Sequence, residues 1–309
     1  MNKPKVNVVL ATYNGEKFLT RQLDSVVNQT YENIDIYIRD DGSVDGTVAF
    51  IEEYIRQDQS GRKFVFWHGE GENLRCPSSF YEILRRCETA DYYAFCDQDD
   101  EWYPEKFGWA VERLEQEKQD EILLYYTACD YYTDQGVLIR RSPQQKEHLE
   151  LTDVLYYTPG SGFTMVFNET ARRRLLQEVN PGQELHDRWM IRGAVCFGKV
   201  IYDGRSSAAH IRHEAAVTAG DAGAGSLIRN FVREELMGDE AKQEKEFLRY
   251  FREAFGGSLT SEQKRVLDLF AAEGCSVVRW FRKVFYPWRL RTRTAGEIAL
   301  RFLFVFGKI

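Results

Sequence analysis

The sequence predicts an α/β fold in which a mostly parallel central sheet is flanked by helices. Short apolar strands alternate with amphipathic helices over residues 6–130, a pattern typical of βαβ units with right-handed crossovers. Several of these strands end abruptly in polar residues. Because open α/β sheets bind ligands beyond the carboxyl ends of their strands, a functional site is expected at these polar ends.

The first predicted element is the β-branched, apolar strand Val6 to Ala11, followed by the turn Thr12-Tyr13-Asn14-Gly15. Apolar residues at helical spacing between residues 16 and 28 predict the first helix. The same reasoning predicts further strands at 34–38, 64–67, 92–96 and 122–126, and further helices at 47–57, 80–87 and 105–118.

The second half of the sequence is less regular. Residues 140–152 are polar and predict a loop, and either Asn168 or Thr170 is expected to cap a helix. The remaining predictions are a turn at 158–162, strands at 163–167 and 200–202, a helix from 186 to near 196, a flexible Ala- and Gly-rich loop at 215–225 and helices from 226 onward.

The net charge of the 309 residues is −7, which argues against a general nucleic-acid binder. The charge is uneven, because residues 276–309 contain eight Lys or Arg and one Glu, a net charge of +7, and the remainder carries −14. Six cysteines without a C-x-x-C pair indicate a reducing compartment. The first residues lead straight into a strand and no apolar run reaches about 20 residues, so neither a secretory signal nor a transmembrane helix is expected.

Four acidic residues follow the strand at 92–96 within five positions: Asp97, Asp99, Asp100 and Glu101. Packed carboxylates repel one another unless a cation lies among them. Oxygen ligands without a nearby Cys or His pair would suit Mg²⁺ or Mn²⁺. The alternative is an acidic loop that only solvates the end of the strand.

The sequence contains no G-x-G-x-x-G and no G-K-[ST] phosphate-binding motif. Its polar motifs occur in the order VVLATYNG, RDDGSVDGT, FCDQDDEWYPEK, GSGFTMVFN and HDRWMI. In that order they resemble the family 2 glycosyltransferases, which have the Rossmann-like GT-A fold. The second-half motifs look most like the bacterial rhamnosyltransferases of polysaccharide biosynthesis. Residues 71–79 and Arg188 depart from the family pattern.

The resemblance implies a nucleotide-binding half at about residues 1–130, an acceptor-binding half at 131–225 and a helical, basic-aromatic extension at 226–309. It implies that Asp99 holds the metal and that Asp97 lies towards the ribose and diphosphate, with a share in the metal site. Asp100 would support a metal ligand or stabilise a helix N-terminus. The residues expected to bind the nucleotide are Thr12, Tyr13, Asn14, Glu16 and Asp41.

Asp187 matches the family's acidic residue before a helix and is the candidate general base, with His186 beside it. One base on the face opposite the leaving group implies inversion at the anomeric carbon. The alternative for Asp187 is a helix N-cap. His213, in preference to His210, is a candidate for the metal or diphosphate, and Arg212 for the phosphates.

Aromatic and basic residues interleave in VVRWFRKVFYPWRLR, from Val277 to Arg291. This pattern is typical of an interfacial segment drawn to anionic lipid, with Trp280, Phe281, Phe285, Tyr286 and Trp288 inserted and Arg282, Lys283, Arg289, Arg291 and Arg293 at headgroups. The alternatives are an ordinary packed helix or a homodimer contact through residues 298–306. Membrane contact predicts a cytoplasmic protein, peripheral at the inner face of the cell membrane.

The predicted activity is an inverting, metal-dependent transfer of L-rhamnose from dTDP-L-rhamnose to a lipid-linked saccharide in cell-wall or surface polysaccharide biosynthesis. The alternative donors are UDP-glucose, UDP-galactose and UDP-N-acetylglucosamine. A non-catalytic subunit or scaffold has no need for carboxylates at so many strand ends. A nucleotidyltransferase would need a Gly-rich, basic phosphate loop near the N-terminus.

Overall fold

The computed structural model describes residues 3–69, 73–179, 184–212, 240–272, 276–291 and 294–307. The described residues form two compact units. Residues up to 148, 160–194 and 198–212 form the first unit, and residues 149–159, 195–197 and those from 240 onward form the second. The predicted boundary between residues 225 and 226 lies outside the described residues.

The first unit is built on a sheet that has nine strands within the described residues. The strands are β1 Val6–Thr12, β2 Ile34–Asp40, β3 Lys63–Trp67, β4 Tyr92–Cys96, β5 Asp100–Trp102, β6 Ile122–Thr133, β7 Leu138–Arg141, β8 Met165–Asn168 and β9 Gly198–Arg212. Their order is β3-β2-β1-β4-β8-β6-β9-β5, and β7 pairs with β6.

Helices follow most of the strands. They are α1 Glu16–Val27, α2 Thr47–Gln57, α3 Ser78–Arg86, α4 Lys106–Leu114, α5 Glu169–Gln177 and α6 His186–Phe197, and then α7 Glu240–Ala254, α8 Ser261–Ala271, α9 Val277–Val284 and α10 Thr294–Val305. The predicted α/β architecture and the helical C-terminal region are therefore confirmed.

The sheet is mixed, with a parallel N-terminal half and a further parallel pair formed by β6 and β9. Strands β3, β2, β1 and β4 are parallel neighbours, whereas β8 runs antiparallel to both β4 and β6. The register pairs Thr12 with Asp40 and Leu10 with Cys96. The polar segments after β1, β2 and β4 therefore leave the sheet at the same edge.

The core explains why these segments form strands and helices. All residues of β2 and β4 are buried, as in strands covered on both faces. Helix α1 buries Leu19, Leu23 and Val26, which lie three or four positions apart and so share one helical face. At the start of α5, the Asn168 side chain accepts a hydrogen bond from the Ala171 N–H, which confirms Asn168 as its cap.

Several strands differ from the sequence prediction, among them β6, which continues to Thr133 beyond the predicted 122–126. Strands β5 and β7 were not predicted, because the acidic and basic residues in them do not alternate with apolar ones. Strand β9 is longer than the predicted strand 200–202, since its polar residues Ser206 and Ser207 are buried against β6. Buried serines and a three-residue strand are set by pairing partners distant in sequence, which periodicity does not reveal.

The second unit is held by aromatic packing and by one arginine. Phe270 packs against Tyr286 and Phe304, with ring centroids 5.1 and 5.6 Å away. Arg301 donates hydrogen bonds to the backbone carbonyls of residues 283, 284, 286 and 288, and pairs with the buried Glu297. No helix within the described ranges is both long and apolar enough to cross a bilayer.

A substitution at Gly198 tests how closely the start of β9 packs against β6. A Cβ atom at this position would lie 2.1 Å from the backbone oxygen of Ile122. We expect Gly198→Ala to lower the free energy of unfolding by ~2 kcal/mol, because a backbone atom cannot move aside as a side chain can. Urea unfolding of the variant measures the change.

Gly108 in α4 is the matched control, because a Cβ atom there would meet no atom within 4 Å. Gly108→Ala should raise the free energy of unfolding by ~0.5–1 kcal/mol, as expected for a helix interior. Equal stabilities for the two variants would contradict the described packing of β9.

Candidate active site

The loop after β4 is fastened to the loop after β1 by the amide of Gln98. The Tyr13 N–H donates to Gln98 Oε1 at 2.9 Å, and Gln98 Nε2 donates to the Tyr13 carbonyl at 3.1 Å. The Tyr13 ring remains 47% exposed. Sequence reasoning missed Gln98, although an amide placed between two aspartates was a visible signal.

Asn14 and Glu16 fasten the loop after β1 to the loop after β2. The Asn14 N–H donates to Ser43 Oγ at 2.8 Å, and Asn14 Oδ1 accepts from the Val44 N–H at 2.9 Å. Glu16 Oε2 accepts from the Gly46 N–H at 3.0 Å. Both side chains, predicted to bind the nucleotide, thus have protein partners that shape the two loops.

The Asp40 carboxylate accepts most of its hydrogen bonds from the turn that follows it. Its carboxylate accepts from the N–H groups of Gly42 and Ser43, from the Ser43 hydroxyl, and from Thr12 Oγ1 at 3.2 Å. Asp and Asn commonly make such bonds to the backbone two or three residues on. The Thr12 hydroxyl is therefore directed at Asp40 in the described structure.

Asp41 is buried and accepts hydrogen bonds from three residues. The donors are the Leu74 N–H at 2.8 Å, the Arg75 N–H at 2.5 Å and the Arg39 guanidinium. A carboxylate offers about four acceptor positions, so one remains for a further donor. The segment that departs from the family pattern thus contacts Asp41 directly, and Arg39 is a contributor that sequence reasoning missed.

Carboxylates from three elements act on the thiol of Cys76. Desolvation, followed by the negative charges of Asp97, Asp187 and Asp41, raises the pKa of Cys76 to about 12, although the residue as a whole is exposed to solvent. These aspartates follow β4, begin α6 and follow β2, so they converge although they are far apart in sequence. The predicted base and two predicted donor-binding residues therefore share one site.

Asp97 lies at the centre of this negative charge. Burial, followed by the charges of Asp100, Asp99 and Asp187, raises the pKa of Asp97 well above its ordinary value. A group in this position favours a bound proton or a bound cation. Asp97 is thus a suitable neighbour for a cationic ligand.

Asp187 lies in the first turn of α6 and is half-buried. Its Oδ1 accepts from the Arg188 N–H at 2.7 Å, and no other donor to its carboxylate is present among the described residues. Asp187 is not the N-cap of α6, because that position is Leu185. The second carboxylate oxygen of Asp187 therefore has no donor among the described residues and can accept a proton from a ligand.

His186 faces the interior beside Asp187. Its ring packs between Phe80 and Phe95, with centroids 4.2 and 4.4 Å away, and burial lowers the pKa of the imidazole. A Cβ atom on Gly162 would lie 2.4 Å from His186 Nε2. This close approach explains the glycine in the GSGF motif, and it indicates that a neutral His186 supports the start of α6.

Asp100 and His210 are paired by sheet register. Strands β5 and β9 place them opposite each other, and His210 Nδ1 lies 2.7 Å from Asp100 Oδ1. Asp100 Oδ2 is buried without a hydrogen-bond partner in the described structure. Burial raises the pKa of Asp100 to about 6, although the His210 contact opposes this shift. Asp100 is therefore a strand residue that His210 holds, and not a helix N-terminal acid.

A fully buried lysine lies close to this pair. Lys106 Nζ is 3.5 Å from Ser207 Oγ and 4.9 Å from the centre of the Trp102 ring. Burial lowers the pKa of Lys106 to about 7, while the negative charge of Asp100 acts to raise it. Sequence reasoning placed Lys106 in a motif but assigned it no role.

Asp99 is half-exposed and lines a cavity of about 470 Å³ with Lys17, Arg21 and Asp24. No group of three or more His, Cys, Asp or Glu side chains among the described residues is arranged to hold a metal ion. His213 lies outside those residues, and so does the side chain of Arg212 at the end of β9. Mg²⁺ commonly uses one or two carboxylates together with substrate phosphates, and the acidic loop fits that mode.

The pH dependence of stability tests the buried lysine. The unfolded chain holds a proton on Lys106 up to about pH 10.5, whereas the folded chain releases it near pH 7. Stability contributed at this position is thus lost as pH falls through that window. We expect wild type to lose about 2 kcal/mol relative to Lys106→Met between pH 9.5 and 7.5, measured by urea unfolding.

Lys118→Met is the control, because the Lys118 side chain is 80% exposed. Its stability should differ from that of wild type by the same amount at both pH values. Parallel stability curves for wild type and Lys106→Met would contradict a buried, proton-releasing lysine.

Comparison with solved structures identifies the fold. The chain is similar to residues 1-349 of S. aureus TarS in complex with UDP-GlcNAc, with a TM-score of 0.56, 17% identity, and coverage of 98% of this chain and 91% of that fragment. It is also similar to the mannosyltransferase PcManGT of Pyrobaculum calidifontis in complex with GDP-Man and Mn²⁺, with a TM-score of 0.52, 14% identity, and coverage of 100% and 89%. At these identities the likeness shows the fold alone, and it confirms the predicted GT-A fold.

Comparison of sequences identifies the family. The chain is 37% identical to the dTDP-rhamnosyl transferase RfbG of Shigella flexneri over 114 residues, which are 34% of this chain and 36% of that protein's length. Residues 7–180, more than half of the chain, match the family described as glycosyl transferase family 2. The chain therefore belongs to glycosyltransferase family 2.

Proposed function

We propose that this chain is an inverting, metal-dependent glycosyltransferase that uses a nucleotide-sugar donor. The observation that carries the proposal is the convergence of three acids from different elements near Cys76. The Arg75 N–H donates to Asp41, and Cys76 Sγ lies 4.0 Å from Nδ1 of His186, the residue before Asp187. The charge of Asp187 also acts on Asp97. Such a site contains a nucleotide-facing acid, an acid beside a cationic centre and a separate base. A transfer between a sugar phosphate and a hydroxyl needs these three roles.

The nucleotide lies against the loops after β1 and β2. The exposed ring of Tyr13 offers a stacking face, and the open acceptor position of Asp41 takes an N–H of the base. Thr12, Asn14 and Glu16 contribute by holding the two loops in shape. Asp97 lies towards the ribose and diphosphate.

The acidic loop would hold Mn²⁺ or Mg²⁺ through Asp99, with Asp97 beside it and His213 as a further candidate ligand. When bound, the divalent ion would neutralise negative charge that develops on the departing diphosphate. Arg212 pairs with the phosphates. Lys106 offsets part of the repulsion within the loop only in its protonated form, because burial lowers its pKa to about 7 while the charge of Asp100 acts to raise it.

Asp187 receives the proton of the acceptor hydroxyl. As the acceptor oxygen bonds to the anomeric carbon, the bond from that carbon to the diphosphate oxygen breaks. Attack from the face opposite the leaving group inverts the configuration. The free oxygen of Asp187 and the rigid start of α6, packed on His186, support this role.

We propose dTDP-L-rhamnose as the donor and a lipid-linked saccharide as the acceptor, in cell-wall or surface polysaccharide biosynthesis. The second-half motifs and the 37% identity to a dTDP-rhamnosyl transferase over 114 residues support the sugar. A UDP-hexose or UDP-N-acetylhexosamine is the second candidate, because TarS, named above, was solved with UDP-GlcNAc. The exposed aromatic residues of the second unit support a location at the inner face of the cell membrane.

A donor screen tests the proposed substrate. Purified protein with Mn²⁺ is supplied with dTDP-L-rhamnose and each UDP-sugar, and release of the nucleoside diphosphate is measured with a lipid-linked acceptor fraction. We expect release from dTDP-L-rhamnose to exceed that from the UDP-sugars by at least about tenfold, the discrimination given by ~1.4 kcal/mol. Turnover of a UDP-sugar alone would replace the donor, and turnover of none would contradict the activity.

Removing the metal ligand should abolish metal-dependent nucleotide binding. In Asp99→Asn, calorimetry should show that Mn²⁺ no longer tightens dTDP binding, because a neutral amide is a poor ligand for a hard cation. Glu101→Gln, which removes a nearby acid in β5, should bind as wild type does. Unchanged Mn²⁺-dependent binding in Asp99→Asn would remove this ligand from the proposal.

Removing the base should stop transfer and spare donor binding. Asp187→Asn should lower kcat by roughly 10²–10⁴-fold, the usual contribution of a general base. Its donor Kd should stay within about twofold of wild type, because the substitution changes charge more than shape. Asp134→Asn, in the exposed turn before β7, is the control. Near-normal kcat in Asp187→Asn would assign the base to another group.

A further inference from the structure

Exposed apolar side chains are concentrated at the C-terminal end of the second unit. Of the large apolar side chains exposed among the described residues, most lie between residues 277 and 306. On and after α9 they form one surface, here called the apolar face: Val277, Val278, Phe281, Phe285 and Trp288, each 52% to 70% exposed. Contiguous exposed apolar residues mark interaction surfaces, whereas single ones do not.

Some residues of the segment expected to contact the membrane face the interior of the second unit instead. Lys283 is buried and donates to the Phe270 carbonyl at 3.3 Å, so it does not reach a headgroup. Trp280 Nε1 donates to the Val305 carbonyl at 3.0 Å and ties α9 to α10. Of the aromatic residues expected to insert, Phe281, Phe285 and Trp288 are therefore the outward ones.

A cationic cavity adjoins the apolar face. It has a volume of about 500 Å³ and lies between α8 and α9. Its polar lining consists of Arg265, Arg279, Arg282, Asp268, Ser276 and Tyr286. Asp268, the acid in this lining, already pairs with Arg252 at 2.9 Å, so Arg265 and Arg282 bring positive charge to the cavity.

We propose that this cavity, the arginine pocket, binds the phosphate-bearing headgroup of an anionic phospholipid in a bilayer. Guanidinium groups bind phosphate oxygens in pairs, which suits three arginines around one cavity. Val278 lines the pocket and also belongs to the apolar face. A headgroup in the pocket would thus have its acyl chains beside Phe281 and Phe285.

Charge favours a bilayer over a second copy of this chain as the occupant. Residues 276–309 carry a net charge of +7, and Arg282 and Arg289 are exposed. A symmetric contact would place this charge against itself, which like-charge repulsion opposes. An anionic bilayer neutralises the same charge and accepts the aromatic side chains.

This inference rests on the proposed function for its membrane setting, and its test uses no transfer reaction. Full-length protein is floated with vesicles of phosphatidylcholine alone or with added phosphatidylglycerol. We expect binding only to the anionic vesicles. The double variant Arg265→Gln, Arg282→Gln should weaken partitioning by at least about tenfold, since each basic residue near the surface contributes ~1 kcal/mol and the pocket adds direct bonds.

A matched control removes two positive charges of the same unit outside the pocket, in Arg249→Gln, Arg289→Gln. A second measurement titrates wild type with a short-chain phosphatidylglycerol below its micellar concentration. Saturable binding should be lost in the pocket variant and kept in the control. Phe285→Ser should weaken vesicle binding, and it should weaken binding of the short-chain lipid less than the pocket variant does.

Equal loss of vesicle binding in the two double variants would overturn the pocket, since charge alone would then explain the attraction. Absence of vesicle binding together with a dimer in sedimentation would also overturn it and assign the apolar face to a second copy. Donor turnover is assayed separately with soluble components. Its absence would contradict the proposed activity and leave the lipid result standing.

Discussion

Repulsion among carboxylates at the end of β4 is the constraint on which the rest of this structure depends. Asp97, Asp99 and Asp100 lie within four positions, and burial makes the negative charges of Asp97 and Asp100 costly. His210 Nδ1 lies 2.7 Å from Asp100 Oδ1, and Lys106 is buried close to that pair. The charge that remains around Asp97 and Asp99 is what a divalent ion and its diphosphate would balance.

The fold makes this arrangement rigid before any ligand arrives. Parallel pairing of β2, β1 and β4 delivers three polar loops to one edge of the sheet. Side chains of Gln98 and Asn14 then fix each loop to its neighbour through backbone hydrogen bonds. Since a preorganised site loses little entropy on binding, these ties contribute to catalysis without touching the reacting atoms.

Much of this could be predicted from the sequence, because strand ends and motif order are local properties. The alternation of strands and helices predicted the α/β class, the order of the motifs implied the GT-A fold through the family resemblance, and the polar strand ends pointed to Asp41 and Asp97. The roles of Arg39, Lys106 and His210 could not be predicted, because they depend on partners set by register and distant contacts. Strand β5 illustrates this: only its pairing with β9 shows that Asp100 meets His210.

Electron paramagnetic resonance of Mn²⁺ with the wild-type chain is the most direct test of whether the acidic loop and a nucleotide bind a divalent ion together. If the acidic loop supplies only part of the coordination sphere, Mn²⁺ should bind weakly alone and at least about tenfold more tightly when dTDP is present. The signal of free Mn²⁺ should then fall only when protein and nucleotide are present together. Equal Mn²⁺ binding with and without nucleotide, or none in either case, would contradict a metal site shared by the acidic loop and the nucleotide.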